Sequence, residues 1–291
     1  MRILSLLVLT LAFSTTILAQ PKAYTIFNQK GKEATYSKML KDIEEADIVF
    51  FGELHNNPIC HWLELEITRD LYTQEDQNLV LGAEMLESDN QLLVNEYFLG
   101  FISEKNFEKE TRLWPNYQTD YKPLVSFAKE NNLSFVATNI PRRYASAVFK
   151  KGLESLDNLP EYSKVFIAPL PIQEDYDVAC YKEMLEMGAA MHGAGNSDPK
   201  YYPQAQMIKD ATMAHFIYGN WNEGELFLHF NGSFHSNNKE GIVWYLRQMN
   251  PNLNIVVITS VEQDQVDKLN QESRNTADYI IAIPERMTKT Y

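Results

Sequence analysis

The stretch Ile48-Val49-Phe50-Phe51-Gly52-Glu53-Leu54-His55-Asn56-Asn57-Pro58 constrains this chain more than any other. An apolar run rich in β-branched and aromatic residues ends at a glycine, and Glu53 and His55 follow at once. Such a run reads as a buried strand, Pro58 suits the first position of a helix, and Asn56 or Asn57 can cap it. The order is therefore strand, polar turn, helix. In extended backbone, residues two apart point the same way, so Glu53 and His55 project together from the strand's carboxyl end. Open α/β sheets hold their ligands at that edge.

The rest of the chain repeats this alternation. Further strands are expected at 79–83, with Glu84 just past the end, and at 133–138, 164–169, 225–231, 254–259 and 278–283. Between them the apolar spacing predicts helices, among them 58–73, 121–131, 203–218, 240–249 and a short one at 263–269. Strands alternating with helices predict an α/β fold, a mainly parallel sheet with flanking helices and right-handed crossovers. Residues 86–130 and 172–222 leave the strand rhythm and are expected to be helical insertions at the carboxyl edge of the strands. One domain over residues 20–291 is the simplest organisation.

The amino terminus has the layout of an export signal: Met1-Arg2, an apolar run over 3–13, a more polar Ser14-Thr15-Thr16, and a small residue at Ala19. Cleavage is expected near Ala19. No cysteine stands there for lipid attachment, and no later stretch is apolar and long enough to span a bilayer. A soluble protein of the periplasm or the extracellular space is the expectation. The net charge of −13 argues against a nucleic-acid partner, because phosphate contacts need clustered Lys and Arg. Cys60 and Cys180 are the two cysteines; in an exported protein they can pair, or they can be two separate buried thiols.

Gly-x-x-His follows an apolar strand twice, as Gly52-Glu53-Leu54-His55 and as Gly232-Ser233-Phe234-His235. Each glycine is expected to let the backbone turn and deliver an imidazole past the strand end. With Glu84 beyond a third strand, Glu53, His55, Glu84 and His235 form a candidate oxygen and nitrogen shell for a metal, or an acid–base cluster of catalytic type. The plainer reading is two histidines that cap turns. His61 and His229 read as packing residues. No Gly-x-Ser-x-Gly elbow, P-loop or Gly-x-Gly-x-x-Gly turn follows a strand, which disfavours serine-hydrolase and nucleotide chemistry.

These residues carry a resemblance. Phe51-Gly52-Glu53-Leu54-His55-Asn56-Asn57-Pro58, Gly82-Ala83-Glu84-Met85, Asn139-Ile140-Pro141-Arg142, the segment 206–215 and Gly232-Ser233-Phe234-His235 resemble the ChaN-type haem-binding uptake proteins of the Tiki superfamily. The resemblance implies an α/β fold, haem or another tetrapyrrole as ligand, a role in bacterial haem and iron uptake, and a homodimer with two stacked porphyrins. Wider relatives resemble metal-dependent proteases or esterases that use the same Gly-x-x-His pairs and glutamates. That leaves a hydrolase using Glu53, His55, Glu84 and His235, with a divalent metal ion, as the alternative function.

Haem needs an axial ligand, a flat apolar slot and cations for its propionates. The insertion at 172–222 is rich in candidates, including Met184, Met187, Met191, His192, Tyr202 and His215. His192 sits in a glycine-rich segment, and His215 shares a helical face with Ile208, Ala211 and Tyr218. Arg142 follows a strand end and can hold a carboxylate bidentately.

Overall fold

The computed structural model describes residues 21–74, 78–191 and 198–291. The expected export signal at 1–19 and His192 lie outside the described residues, as does the Met191 side chain.

Among the described residues the centre is a seven-stranded sheet. β1 (Thr25–Asn28) pairs antiparallel with β7 (Tyr279–Pro284), which lies parallel to β6 (Ile255–Gln263). The sheet continues in parallel through β2 (Ile48–Glu53), β5 (Leu226–Gly232), β3 (Leu79–Glu87) and β4 (Ser134–Asn139). The α/β expectation of a mainly parallel sheet with flanking helices therefore holds. The antiparallel edge strand β1 has no counterpart in the sequence reading, because four residues are too few to display a period.

Alternation along the strands explains the layering. Val49 and Phe51 face one core with α1 (Tyr36–Glu44), α2 (Pro58–Gln74) and α5 (Lys122–Glu130), while Ile48 and Phe50 face the other with α9 (Tyr201–Asn220) and α10 (Ile242–Met249). β2 is buried at every residue, as a central parallel strand covered on both faces must be. Cys60 belongs to the first core and Cys180 to the second, and both are free thiols. The disulfide alternative does not form.

Three local expectations fail for identifiable reasons. Residues 164–169 are not a strand but the end of a short helix, α7 (Glu161–Lys164), and a following turn. There Ala168 N–H donates to the Thr212 hydroxyl, at 3.2 Å, and Pro169 has no donor for a sheet ladder. The helix expected at 263–269 does not form: Gln263 ends β6 and 264–269 are a loop, in which the Gln263 side chain bonds Lys268 C=O (2.8 Å) and Asn270 N–H (3.1 Å) and takes over the role of helical hydrogen bonds. Glu84 lies inside β3, not past it. The pairing of β3 with β4 slips between Ala83 and Glu87, and such a bulge re-aims side chains near a strand end.

Gly82 faces the Phe227 ring across β3 and β5: a Cβ there would lie 2.7 Å from Cε1 and 2.8 Å from Cζ. Phe227 is fully buried. Gly82→Ala is expected to lower the unfolding free energy by about 1–3 kcal/mol, measured by urea denaturation.

Candidate functional site

β2 and β5 lie side by side with Glu53 in register with Gly232, so the two Gly-x-x-His segments leave the sheet together. Neither Gly52 nor Gly232 has a positive φ. Their need for glycine is space, not the turn expected from the sequence. A Cβ on Gly52 would lie 2.9 Å from the Ser233 Cα, and one on Gly232 would lie 2.7 Å from Cε1 and 2.8 Å from Nε2 of His55. Each turn thus rests on the other's glycine, and the His55 ring lies directly over Gly232.

The four expected residues come together in two acid–imidazole units. In the first, Glu53 Oε1 accepts from His55 Nδ1 (2.6 Å) and from the Tyr121 hydroxyl (2.5 Å). Tyr121 arrives on a π-helical turn, Tyr117–Tyr121, ahead of α5. The Trp114 ring meets His55 edge-on at 4.7 Å. Burial pushes the Glu53 carboxyl up to about 8, with Glu64 adding to the rise and the His55 bond opposing it. Burial also opposes charging of His55, but the bond to Glu53 and the charge of Glu84 outweigh it and raise its pKa. His55 Nε2 has no hydrogen-bond partner among the described residues, and the ring is 40% exposed.

In the second unit His235 lies between two carboxylates, Nδ1 at 2.5 Å from Asp210 Oδ1 and Nε2 at 3.2 Å from Glu84 Oε1. Tyr181 donates to the other Asp210 oxygen at 2.8 Å, and Gly232 N–H donates to Glu84 Oε2 at 2.8 Å. This last bond continues the strand ladder through a side chain. Both nitrogens of His235 face a carboxylate, which favours the imidazolium, and the Gln206 side-chain amide also lies 2.8 Å from Nδ1 and 3.1 Å from Nε2. Burial opposes that charge, yet Glu84 and Asp210 outweigh it and push the pKa up to about 10. Burial raises Glu84 less than His235, His55 and the Gly232 N–H lower it, so its carboxyl is held well below the usual range. An imidazolium has no lone pair for a metal, so within the expected shell His55 is the histidine with an open nitrogen.

The sequence profile of the family described as haem-binding uptake, Tiki superfamily, ChaN, matches residues 39–246. The chain belongs to this family. A solved structure of ChaN of Campylobacter jejuni, titled as cofacial haem binding, is similar over 89% of this chain and 96% of that one. It has 16% identity and a TM-score of 0.63. A solved succinoglycan biosynthesis protein is similar over 85% of this chain and 90% of that one, with 12% identity and a TM-score of 0.50. Protein RETICULATA-RELATED 5, chloroplastic, of Arabidopsis thaliana is 27% identical over 150 residues, half of this chain, and the match spans 19% of that relative's length. At these identities the solved structures speak for the shared fold.

In this ChaN-family chain the strand ends open into two adjoining clefts. One, of ≈ 620 Å³, is lined by Glu53, His55, Gly232, His235, Met184 and Met187 among others. The other, of ≈ 480 Å³, includes Glu84, Trp114, Ile140, Arg142, Phe149 and Lys209. Tyr202 and Gln206, both on α9, line both clefts and form the partition. Arg142 bonds Glu87, while Lys209 has no ion-pair partner among the described residues. His215 lines neither cleft. It sits farther along α9, half-buried, its ring 5.2 Å from that of Phe216. His229 is buried in β5, bonded to the Thr138 hydroxyl (2.8 Å) and the Asn231 side-chain Oδ1 (3.0 Å), the packing role expected of it.

Tyr121 and Glu64 belong to the site and carry no signal in the sequence, while Gln206 and Asp210 fall in the segment 206–215 that carries the family resemblance, with no role assigned to them there. Asp210 carried a usable local signal, a charge amid the apolar run Met207, Ala211, Met213 and Ala214 on α9.

The His235 unit makes stability depend on pH. A group raised from 6.5 to about 10 on folding contributes fully below pH 6.5, and that contribution is lost as the pH rises through 10. The unfolding free energy is expected to fall from pH 7 to pH 10, and His235→Gln to flatten that decline. An equal slope in both proteins would assign the alkaline loss to other groups.

Proposed function

We propose that the chain is an exported haem-binding protein serving bacterial haem and iron uptake. Family membership supports the ligand, and the export pattern of residues 1–19 supports the location. The observation that carries the reading is the open Nε2 of His55 in a cleft that also presents Tyr202, Met184 and Met187, all of iron-ligating type. The residues suit the group: Met184, Met187 and Phe234 give the His55 cleft apolar lining, and beyond Tyr202 and Gln206 the adjoining cleft offers Trp114 and Phe149 as flat walls and Lys209 as a cation for a propionate.

Haem, when bound, supplies an iron centre open to axial ligands. The protein's part is to hold and orient it. Glu53 fixes the His55 ring by accepting its Nδ1–H, which leaves Nε2 as the donor and raises its basicity. Tyr121 locks Glu53 in turn. Phe234, Met187 and Tyr291 form an exposed apolar rim at this cleft, which suits two chains meeting face to face over stacked porphyrins.

A haemin titration followed in the Soret band is expected to be saturable. His55→Ala and Tyr202→Phe should each shift the bound spectrum, and the double variant should lose saturable binding. Wild-type spectra retained in the double variant would overturn the proposed ligands, and no saturable binding by the wild type would overturn the function.

A second reading, a hydrolase, rests on the Glu53–His55 pair facing the fixed His235 cation. A carboxylate-oriented imidazole beside a positive charge is the arrangement that activates water next to a polarised carbonyl. Hydrolysis of ester or peptide substrates that is abolished in Glu53→Gln, with folding intact, would favour it over haem carriage.

A further inference from the structure

Behind His55, away from the open cleft, lies a second polar cluster that neither acid–imidazole unit accounts for. Glu53, His61 and Glu64 each offer a ligand-type atom, and these atoms lie within 4.8 Å of one another. All three residues are buried, at 3%, 5% and 0% exposure. Asp120 stands at the rim, 3.5 Å from His61 Nε2. No Lys or Arg pairs with any of these carboxylates among the described residues.

The hydrogen bonds define which atoms are free. His61 Nε2 lies 3.1 Å from the backbone carbonyl of His55, an acceptor only, so Nε2 carries the proton and donates. Nδ1 points at Glu64 Oε2 (3.0 Å) and Glu53 Oε2 (3.7 Å). Glu53 Oε2 and Glu64 Oε1 are buried without any hydrogen-bond partner, although Glu53 Oε1 is fully engaged by His55 and Tyr121. Unpartnered carboxylate oxygens converging beside an imidazole in a buried space are a donor set of metal-ligand type. A histidine whose other N–H is held by a backbone carbonyl is also the habitual form of a metal-bound imidazole.

We propose that Glu53, His61 and Glu64 form a site for one divalent first-row transition-metal cation, behind His55 and separate from the haem cleft. One imidazole and two carboxylates suit Zn²⁺, Mn²⁺ or Fe²⁺. Donors about 2.0–2.1 Å from zinc stand roughly 3.3 Å apart, so the observed spacing needs only a small contraction. Glu53 also lines the open cleft. Glu53 would then join the two sites, one oxygen on the cation and the other on the His55 N–H.

The test uses Zn²⁺ on the untagged, haem-free full chain, stripped with EDTA, reloaded, and passed through gel filtration before elemental analysis. One zinc per chain is expected. His61→Gln and Glu64→Gln should each weaken retention at least tenfold, with His215→Gln, outside both sites, unchanged. Should either variant fail to fold, the wild-type protein must still show a zinc-dependent rise in its thermal midpoint that EDTA reverses. No zinc on the wild type, or full retention in folded His61→Gln and Glu64→Gln, overturns the site and leaves shared protons to satisfy the cluster. Haemin titration of the same samples reads the cleft independently, so loss of one site is distinguishable from loss of the other.

Discussion

Gly52 and Gly232 each occupy a place where one added methyl group would strike the other segment, and that reciprocal approach places the groups of the cleft. Because β2 and β5 are adjacent and in parallel register, two turns of the same kind end at the same height. Without side chains at the two glycines, the turns can close until His55 lies over Gly232. Glu84 then reaches across from β3 to take the Gly232 N–H and, through its other oxygen, His235. The sheet supplies the rigidity. Its carboxyl edge is where these polar groups leave the two apolar cores.

The buried charge is organised asymmetrically. His235 is held by carboxylates on both sides and is thereby committed to the charged form, whereas His55 is held on one nitrogen and free on the other. Two histidines from like motifs thus receive different chemistry from their neighbours alone. Around Glu53 the carboxyls Glu53, Glu64 and Asp120 outnumber the imidazoles His55 and His61; burial drives Glu53 up to about 8, with Glu64 adding to the rise, and Glu64 up to about 7, with Asp120 adding to it. That excess of acid is the physical ground for expecting a cation close by.

Much of the frame is legible in the residues because central parallel strands are apolar on both faces and helices between them keep their period. Ile48–Glu53 and Leu226–Gly232 are of this kind, and the two Gly-x-x-His segments mark the site. Residues 164–169 misled because a short apolar run is the same in a strand and in a packed turn; only the lack of a partner, fixed by Pro169 and Thr212, decides. Glu84 was placed one strand end too far because a bulge has no signature in this sequence. Asp210 and Tyr121 come from elements far along the chain and Glu64 from α2 directly after the first turn, and nothing local reveals that they converge on these groups. His61 is the instructive case: packing was a sufficient account of one histidine on a helix, and only the carbonyl on Nε2 shows where Nδ1 must point.

The most direct test of the account is a crystal structure of the haemin-loaded protein. The expected result is a porphyrin in the cleft between α9 and the two Gly-x-x-His turns, with iron within bonding distance of His55 Nε2 or the Tyr202 hydroxyl, and Glu53 still accepting from His55 Nδ1. Haem seated elsewhere on the fold, or in the cleft with His55 and Tyr202 both untouched, would contradict it.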